Sequence, residues 1–260
     1  MDQDRTGGPG GQPLRGLTVG VTRAGEQQEA LAAPLRRLGA VVVPVPLIAI
    51  DPPADGGAAL RRAAADLGRY RWVVLTSANG ARALVEALPD GADLRGVRTA
   101  AVGPATASVL RAAGAVDPLV PARHVAEGLL AAFPHPERPG QDRVALVRAE
   151  VAREVLPDGL RALGYAVDMI AAYRTVSAAV DDGLRAALAS VDVVTFASPS
   201  ALHRFVELVG RPIGMAVAVI GPVTAAAAAE AGVAVDVMAE RSDMGGLIDA
   251  IVSWAAGRQG

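Results

Sequence analysis

The feature that most constrains the fold is a long internal repeat. The first half reads LTVGVTRAGEQ (17–27), LRRLGAVVVPVPLI (35–48), WVVLTSANGARALVEAL (72–88) and AAVGPATASVLRAAGAV (100–116). The second reads RVALVRAEVAR (143–153), LRALGYAVDMIAAYRTV (160–176), VDVVTFASPSALHRFVELV (191–209) and VAVIGPVTAAAAAEAGVAV (217–235). Arg23 aligns with Arg148, Leu38-Gly39 with Leu163-Gly164, Ser77 with Ser198, and Thr106 with Thr224. The offset shortens from 125 to 121 to 118 residues, as small loop deletions would produce. Both halves close on similar helices, AEGLLAAF (126–133) and MGGLIDAIVSW (244–254).

Each segment opens with a short Val-rich run, the pattern of a strand buried on both faces. A Gly, Ser, Thr or Asn turn follows, then an Ala/Leu helix. Gly39, Gly114, Gly164 and Gly232 stand where a helix ends and the next strand begins, the C′ position at which positive φ costs glycine little. The order is β-α repeated about eight times, which requires parallel strands covered by helices. Four β-α units per half fit either an eight-stranded β/α barrel or two separate α/β domains. Two features favour the domains. Pro44 and Pro46 interrupt the second strand, and AAYRTV (171–176) lengthens its counterpart, so both segments read as crossings. The Pro/Gly-rich stretch 134–142 reads as a surface loop.

Composition narrows the chemistry. Apolar residues make up 52% and aromatics 3%, so the core must be Ala, Val and Leu. A net charge of −2 argues against a nucleic-acid binder. Cysteine is absent, and His124, His135 and His203 lack ligand spacing, so neither disulfides nor a metal centre are expected. No apolar run reaches the roughly 20 residues that span a bilayer. Met1 to Pro13 lacks the apolar core of an export signal and reads as a disordered tail, so a cytoplasmic protein is expected. Every basic residue is arginine, a signature of base composition; wherever one lines a site, its forked donors suit carboxylates.

Four strand-to-helix turns carry the candidate site: LTSANGA (75–81), VGPATAS (102–108), FASPSAL (196–202) and IGPVTAA (220–226). They place small hydroxyl and amide side chains at the first turn of a helix. Ligands of parallel α/β sheets bind at that end of the strands, and a helix N-terminus attracts anions. The competing reading of any one turn is ordinary N-capping. Four in equivalent places of a duplicated chain favour a ligand. There is no dinucleotide fingerprint, no phosphate-binding loop of the Walker type and no G-x-S-x-G. Arg23 and Arg148 follow the first and fifth strands, where an Arg either meets an anion or forms a surface ion pair. Asp66, Asp192 and Asp236 read as surface charges. Tyr173, in AAYRT, reads as packing or as a catalytic group.

The ordered set TSANGAR, VGPATA, LRALGYAVDMIAAYRT, FASPSAL and IGPVTAAAA resembles the uroporphyrinogen-III synthase family from about Leu14 to Trp254. That resemblance implies an α/β fold of two flavodoxin-like domains with parallel sheets, joined by a two-stranded connector. Domain one would be 14–46 plus 175–256 and domain two 50–170, with crossings near Pro44–Asp51 and Met169–Val176 and a disordered tail at 1–13. Each domain would then mix pieces of both repeats. The implied reaction closes hydroxymethylbilane, a linear tetrapyrrole with eight carboxylates, losing water and inverting the last ring. It needs no cofactor or metal. Tyr173 matches the proposed acid. Ser77, Ala78 and Asn79, Thr106, Ser198 and Ser200, and Thr224 match the turns that would hold acetate and propionate groups. Thr22, Arg23 and Arg148 join this binding set by topology. The implied partners are the substrate and hydroxymethylbilane synthase handing it over, with no nucleic acid, no membrane and a monomeric state. A tetrapyrrole sensor and a periplasmic-type binding protein are the alternatives. The chain's end soon after Trp254 leaves no room for the DNA-binding domain some relatives append, and the N-terminus argues against export.

Overall fold

The computed structural model describes residues 11–23 and 26–258. Most of the expected disordered tail, residues 1–10, lies outside them. Pro13 opens a turn that carries Leu14 into the core, fully buried.

Ten strands and ten α-helices follow in near-strict alternation among the described residues. They are β1 (Thr18–Val21), α1 (Glu26–Arg37), β2 (Val41–Pro44), β3 (Ile48–Asp51), α2 (Ala58–Ala64), β4 (Trp72–Leu75), α3 (Ala78–Glu86), β5 (Thr99–Ala101), α4 (Pro104–Ala112) and α5 (Ala126–Ala132). The second half supplies β6 (Arg143–Ala149), α6 (Val155–Ala162), β7 (Ala166–Ser177), α7 (Asp182–Leu188), β8 (Val193–Phe196), α8 (Pro199–Leu208), β9 (Ala216–Val219), α9 (Pro222–Glu230), β10 (Val237–Met238) and α10 (Met244–Gly257). The count of eight β-α units is therefore corrected to five per half. The fifth strand escaped because it is so short: two residues in β10, and a single bridge from Leu119 to Ala100 in the first half. At that length no apolar periodicity exists to read.

The strands form two five-stranded sheets, ordered β10-β9-β8-β1-β2 and β3-β7-β6-β4-β5. The chain divides into two compact units: residues up to Ala49 with those from Ser177 onward, and Ile50–Val176. A closed barrel is excluded, because each sheet has two edges. In the first unit β1 and β2 come from the first repeat and β8, β9 and β10 from the second. In the other, β6 and β7 come from the second repeat and β4 and β5 from the first. Both sheets thus have the doubly wound order 2-1-3-4-5, with Leu119 supplying the fifth position of the second and β3 added beyond β7. The break at Pro44–Leu47 separates β2 from β3.

Each sheet is covered on both faces, which is why its strands are continuous apolar runs. In the Ile50–Val176 unit, Val73, Leu75, Ala145, Val147 and Ile170 pack under α2, α3 and α4. Their neighbours Val74, Val144 and Leu146 pack under α5 and α6. The other unit repeats the scheme: Val19, Val21 and Val193 face α1 and α10, and Val194, Phe196 and Val219 face α7, α8 and α9. Each fully buried Val or Leu contributes about 1.5–3 kcal/mol. Gly39, Gly114, Gly164 and Gly232 all have positive φ, between 66° and 102°, as their C′ positions require. Two expected surface charges have structural roles instead. Asp192 accepts the Thr18 N–H and Asp236 the Val217 N–H, both at 2.8 Å, satisfying donors where β1 and β9 begin.

Candidate functional site

Parallel pairing of β1, β2, β8, β9 and β10 brings their carboxyl ends to one edge, and pairing of β4, β5, β6 and β7 does the same in the other unit. The turns singled out in the sequence all lie on these edges. In each sheet the strand order reverses once, between β1 and β8 and between β6 and β4. Thr22 and Arg23 flank the first reversal with Ser198; Arg148 flanks the second with Ser77. A reversal point opens a crevice because the flanking loops leave in opposite directions.

The helix N-termini there fall into two kinds. Ser77 caps α3, its Oγ accepting from the Gly80 N–H at 3.1 Å, and Ser198 caps α8, accepting from Ala201 at 3.3 Å. Such a cap is worth about 1 kcal/mol. Ser200 lies 3.1 Å from Ser198 Oγ on the exposed side. Ala78 is the first helical residue of α3, and Asn79 follows it, its Oδ1 accepting from Arg82 at 2.9 Å. By contrast α4 and α9 begin at Gly103 and Gly221, which offer no side-chain cap. Their first turns present N–H groups of the kind that anions satisfy. Thr106 and Thr224 sit at the third position of these two helices and are 4% and 2% exposed.

Three candidates are engaged within the protein or set back from the surface. Thr22 donates its hydroxyl to the Thr195 carbonyl at 2.7 Å, tying the end of β1 to β8. Arg148 is 7% exposed and ties the following loop together, donating to Ala152 O at 3.1 Å, Arg153 O at 3.3 Å and Glu154 Oε1 at 2.8 Å. Arg23, its partner in the repeat, is half-buried in the loop after β1.

Tyr173 owes its position to an irregularity in β7. Arg148 pairs with Ala171, but the next residue, Ala149, pairs with Tyr173, so Ala172 is an extra residue. Such a bulge re-aims the side chains beyond it. Ile170 and Ala172 are both in the core under α2–α4, and Tyr173 packs against that same core instead of alternating away. The Tyr173 hydroxyl lies 3.0 Å from Ser77 Oγ. Ala172 and Tyr173 form one wall of a cleft of about 490 Å³, whose other walls carry Asn79, Arg82, Arg61 and Glu86. A smaller cavity of about 190 Å³ is lined by Thr76, His124, Arg148 and Arg153 with Val102 and Leu146. At the entry to α2, Asp55 accepts N–H bonds from Ala59 and Gly57, and these hold its carboxyl below the ordinary value.

Sequence reasoning missed Arg61, Arg82, His124 and Arg153 as lining residues. Arg82 stands inside the TSANGAR turn. His124 has a signal in the repeat: it occupies the place of Ser242, and the two side chains adjoin Gly103 and Gly221 respectively. Among the described residues, no three His, Asp or Glu side chains gather as a metal-ligand cluster, and no helix is long and apolar enough to cross a membrane.

Two doubly wound units, with helix N-termini gathered at the carboxyl ends of their strands, define the class: an α/β protein of two flavodoxin-like units. A family model described as uroporphyrinogen-III synthase HemD matches residues 29–249. The uroporphyrinogen-III synthase of Synechococcus elongatus is 34% identical over 261 residues, 94% of this chain and 97% of that one. Two solved structures share the fold. Uroporphyrinogen-III synthetase from Helicobacter pylori aligns with a TM-score of 0.56 at 14% identity, over 91% of this chain and 99% of that one. A mutant uroporphyrinogen III synthase from Thermus thermophilus aligns with a TM-score of 0.51 at 22% identity, over 93% and 99%. The chain belongs to the uroporphyrinogen-III synthase family, enzymes of tetrapyrrole biosynthesis.

Proposed function

We propose that the chain converts hydroxymethylbilane to uroporphyrinogen III, closing the macrocycle with loss of water and inversion of ring D. The observation that carries this reading is the placement of Tyr173: a bulge turns it toward the first turn of α3, at the strand-end edge, beside a cleft of about 490 Å³ lined by Arg61 and Arg82. A phenol there can donate to the departing hydroxyl. The bilane ionises readily once that hydroxyl leaves, so the rest of the task is holding the two ends together with the last ring turned over.

The carboxylates would be held by the first turns of α3, α4, α8 and α9: the α3 turn at Ala78 and Asn79 beyond its Ser77 cap, Ser198 and Ser200, and the turns at Thr106 and Thr224. Arg23 adds charge at its reversal point. Thr22 and Arg148 would shape the crevices, since their donors are already used. The protein would act as a cytoplasmic monomer, without metal or cofactor, on substrate handed over by hydroxymethylbilane synthase. The deciding experiment supplies hydroxymethylbilane to the purified chain and separates the product isomers. Type III product without added metal or cofactor is expected; type I alone, at the rate of spontaneous closure, would refute the reading.

A further inference from the structure

We propose that Ser77 is a positioning residue for the acid: it donates its hydroxyl proton to the Tyr173 oxygen, leaving the phenolic proton free for the substrate. This rests on the reading of Tyr173 as the acid. The 3.0 Å contact between the two hydroxyls permits either direction of donation. The direction decides whether Tyr173 can work. If Tyr173 donates to Ser77, its only proton is occupied. If Ser77 donates, Tyr173 keeps that proton and accepts through a lone pair.

The local structure favours the second arrangement. Ser77 Oγ already accepts the Gly80 N–H at 3.1 Å, at the start of a helix. Accepting that bond draws electron density from the oxygen and makes the Ser77 O–H a better donor. The N-terminal end of α3 carries partial positive charge, which disfavours Ser77 as an acceptor of a second proton and favours negative charge building on Tyr173. The strand bulge and the cap therefore act together. Ala172 turns the phenol to α3, and Ser77 holds its oxygen there.

In the reaction, the carbon–oxygen bond of the hydroxymethyl group breaks with its electron pair on oxygen. The Tyr173 proton joins that oxygen and water leaves. The adjacent pyrrole nitrogen stabilises the cationic carbon that remains. The phenolate accepts a bond from Ser77 that strengthens as charge develops. Ring D attacks that carbon through the α-carbon that already carries its bridge. The older bridge bond breaks to leave a second pyrrole-stabilised cation, and ring D closes on it through its free α-carbon, whose hydrogen returns to the phenolate and restores the enzyme.

The test must separate this role from capping. In the full-length protein, Ser77→Ala removes both functions, Ser77→Thr keeps both, and Ser77→Asp keeps the cap but has no proton to give. Single-turnover rates with hydroxymethylbilane, steady-state kinetics and thermal melts are measured for each. Ser77→Ala is expected to lower kcat by about 10- to 100-fold, the range for one charge-assisted bond, with KM within about twofold. Ser77→Thr should recover most of the rate. Ser77→Asp should recover the melting temperature but not the rate. Ser77→Ala added to Tyr173→Phe should slow turnover no further. Wild-type kcat in Ser77→Asp or Ser77→Ala, with Tyr173→Phe impaired, would overturn the role of Ser77 while sparing the acid. Wild-type kcat in Tyr173→Phe would remove the acid and, with it, the role of Ser77.

Discussion

Gly128 leaves no space between its backbone and the carbonyl oxygen of Arg123: a Cβ at Gly128 would overlap that oxygen. Gly246 stands in the same relation to Arg241 in the second repeat. In both places the chain turns tightly just ahead of the helix, Val125 N–H bonding to Arg123 O at 2.8 Å and Asp243 N–H to Arg241 O at 2.7 Å. The duplicated turn sets where α5 and α10 begin. Replacing either glycine by alanine must push helix and turn apart. Gly128→Ala and Gly246→Ala should each destabilise their unit by about 3 kcal/mol, the cost of an overpacked site, seen as a lower urea midpoint. A shift within roughly 0.5 kcal/mol, the surface-substitution range, would show that the turn yields freely.

Thr22 and Thr195 exchange bonds across the reversal point of the first sheet: Thr22 donates to the Thr195 carbonyl and Thr195 to the Gly20 carbonyl, at 2.7 and 2.9 Å. Both side chains are buried. Thr22→Val keeps the shape but removes one donor and leaves a carbonyl short of a partner. A loss of about 1–3 kcal/mol in stability is expected, with KM for hydroxymethylbilane little changed. A large rise in KM with unaltered stability would put the Thr22 hydroxyl on the substrate.

Thr22 and Gly128 also mark a division in what the residues encode locally. Short-range pattern is legible in the sequence. Val runs, Ala/Leu helices, C′ glycines and Ser caps are set within a few residues, and the repeat multiplies each signal. The choice between a barrel and two sheets is legible only in part: Pro44, Pro46 and the long AAYRTV segment mark the crossings, but both architectures use the same local units and differ in which distant strands pair. β1 bonds to β8 and β4 to β6, joining pieces from different repeats. The order of the family's motifs supplies that topology where periodicity cannot. At the site, Arg23 and Arg148 look equivalent in sequence. Arg148 nonetheless has a loop whose Ala152, Arg153 and Glu154 oxygens surround it, and no motif encodes that enclosure. The Ala172 bulge is equally hidden, since one extra residue in a strand leaves its composition unchanged.

Asp168, on β7, joins an ion-pair group at the opposite end of the sheet from Tyr173. Arg143 Nη2 lies 2.7 and 2.6 Å from its two oxygens, with Arg69 at 3.5 Å. Burial works against the Asp168 charge, but bonds from Arg143 and Tyr70 and the two guanidinium charges prevail and hold its pKa below the ordinary value. A carboxyl depressed on folding adds stability above its unfolded pKa, near about 4, and loses it as pH falls through the folded value. The side chain is 27% exposed, so screening limits the effect. Asp168→Asn should therefore cost about 1 kcal/mol at neutral pH, and the gap to wild type should close progressively below about pH 4. Chemical unfolding at a series of pH values reads this; a gap independent of pH would assign the loss to packing.

Arg82 offers the most direct test of the cleft beside Tyr173. It is exposed, it lines the same cavity as the phenol, and its bond to Asn79 Oδ1 orients the guanidinium over the first turn of α3. If this cleft receives a substrate carboxylate, Arg82 and the α3 N-terminus act on the same negative charge. Arg82→Ala would then raise KM for hydroxymethylbilane by about tenfold, as loss of one charge-assisted bond implies, with a smaller effect on kcat because the acid is intact. Removing one cation should also weaken the dependence of KM on salt, since exposed charges act through screened attraction. Arg82→Lys keeps the charge but not the fork, so it should fall between the two. Steady-state kinetics at two ionic strengths separates these terms. An unchanged KM at both, with Tyr173→Phe impaired, would place the substrate's carboxylates elsewhere on the edge.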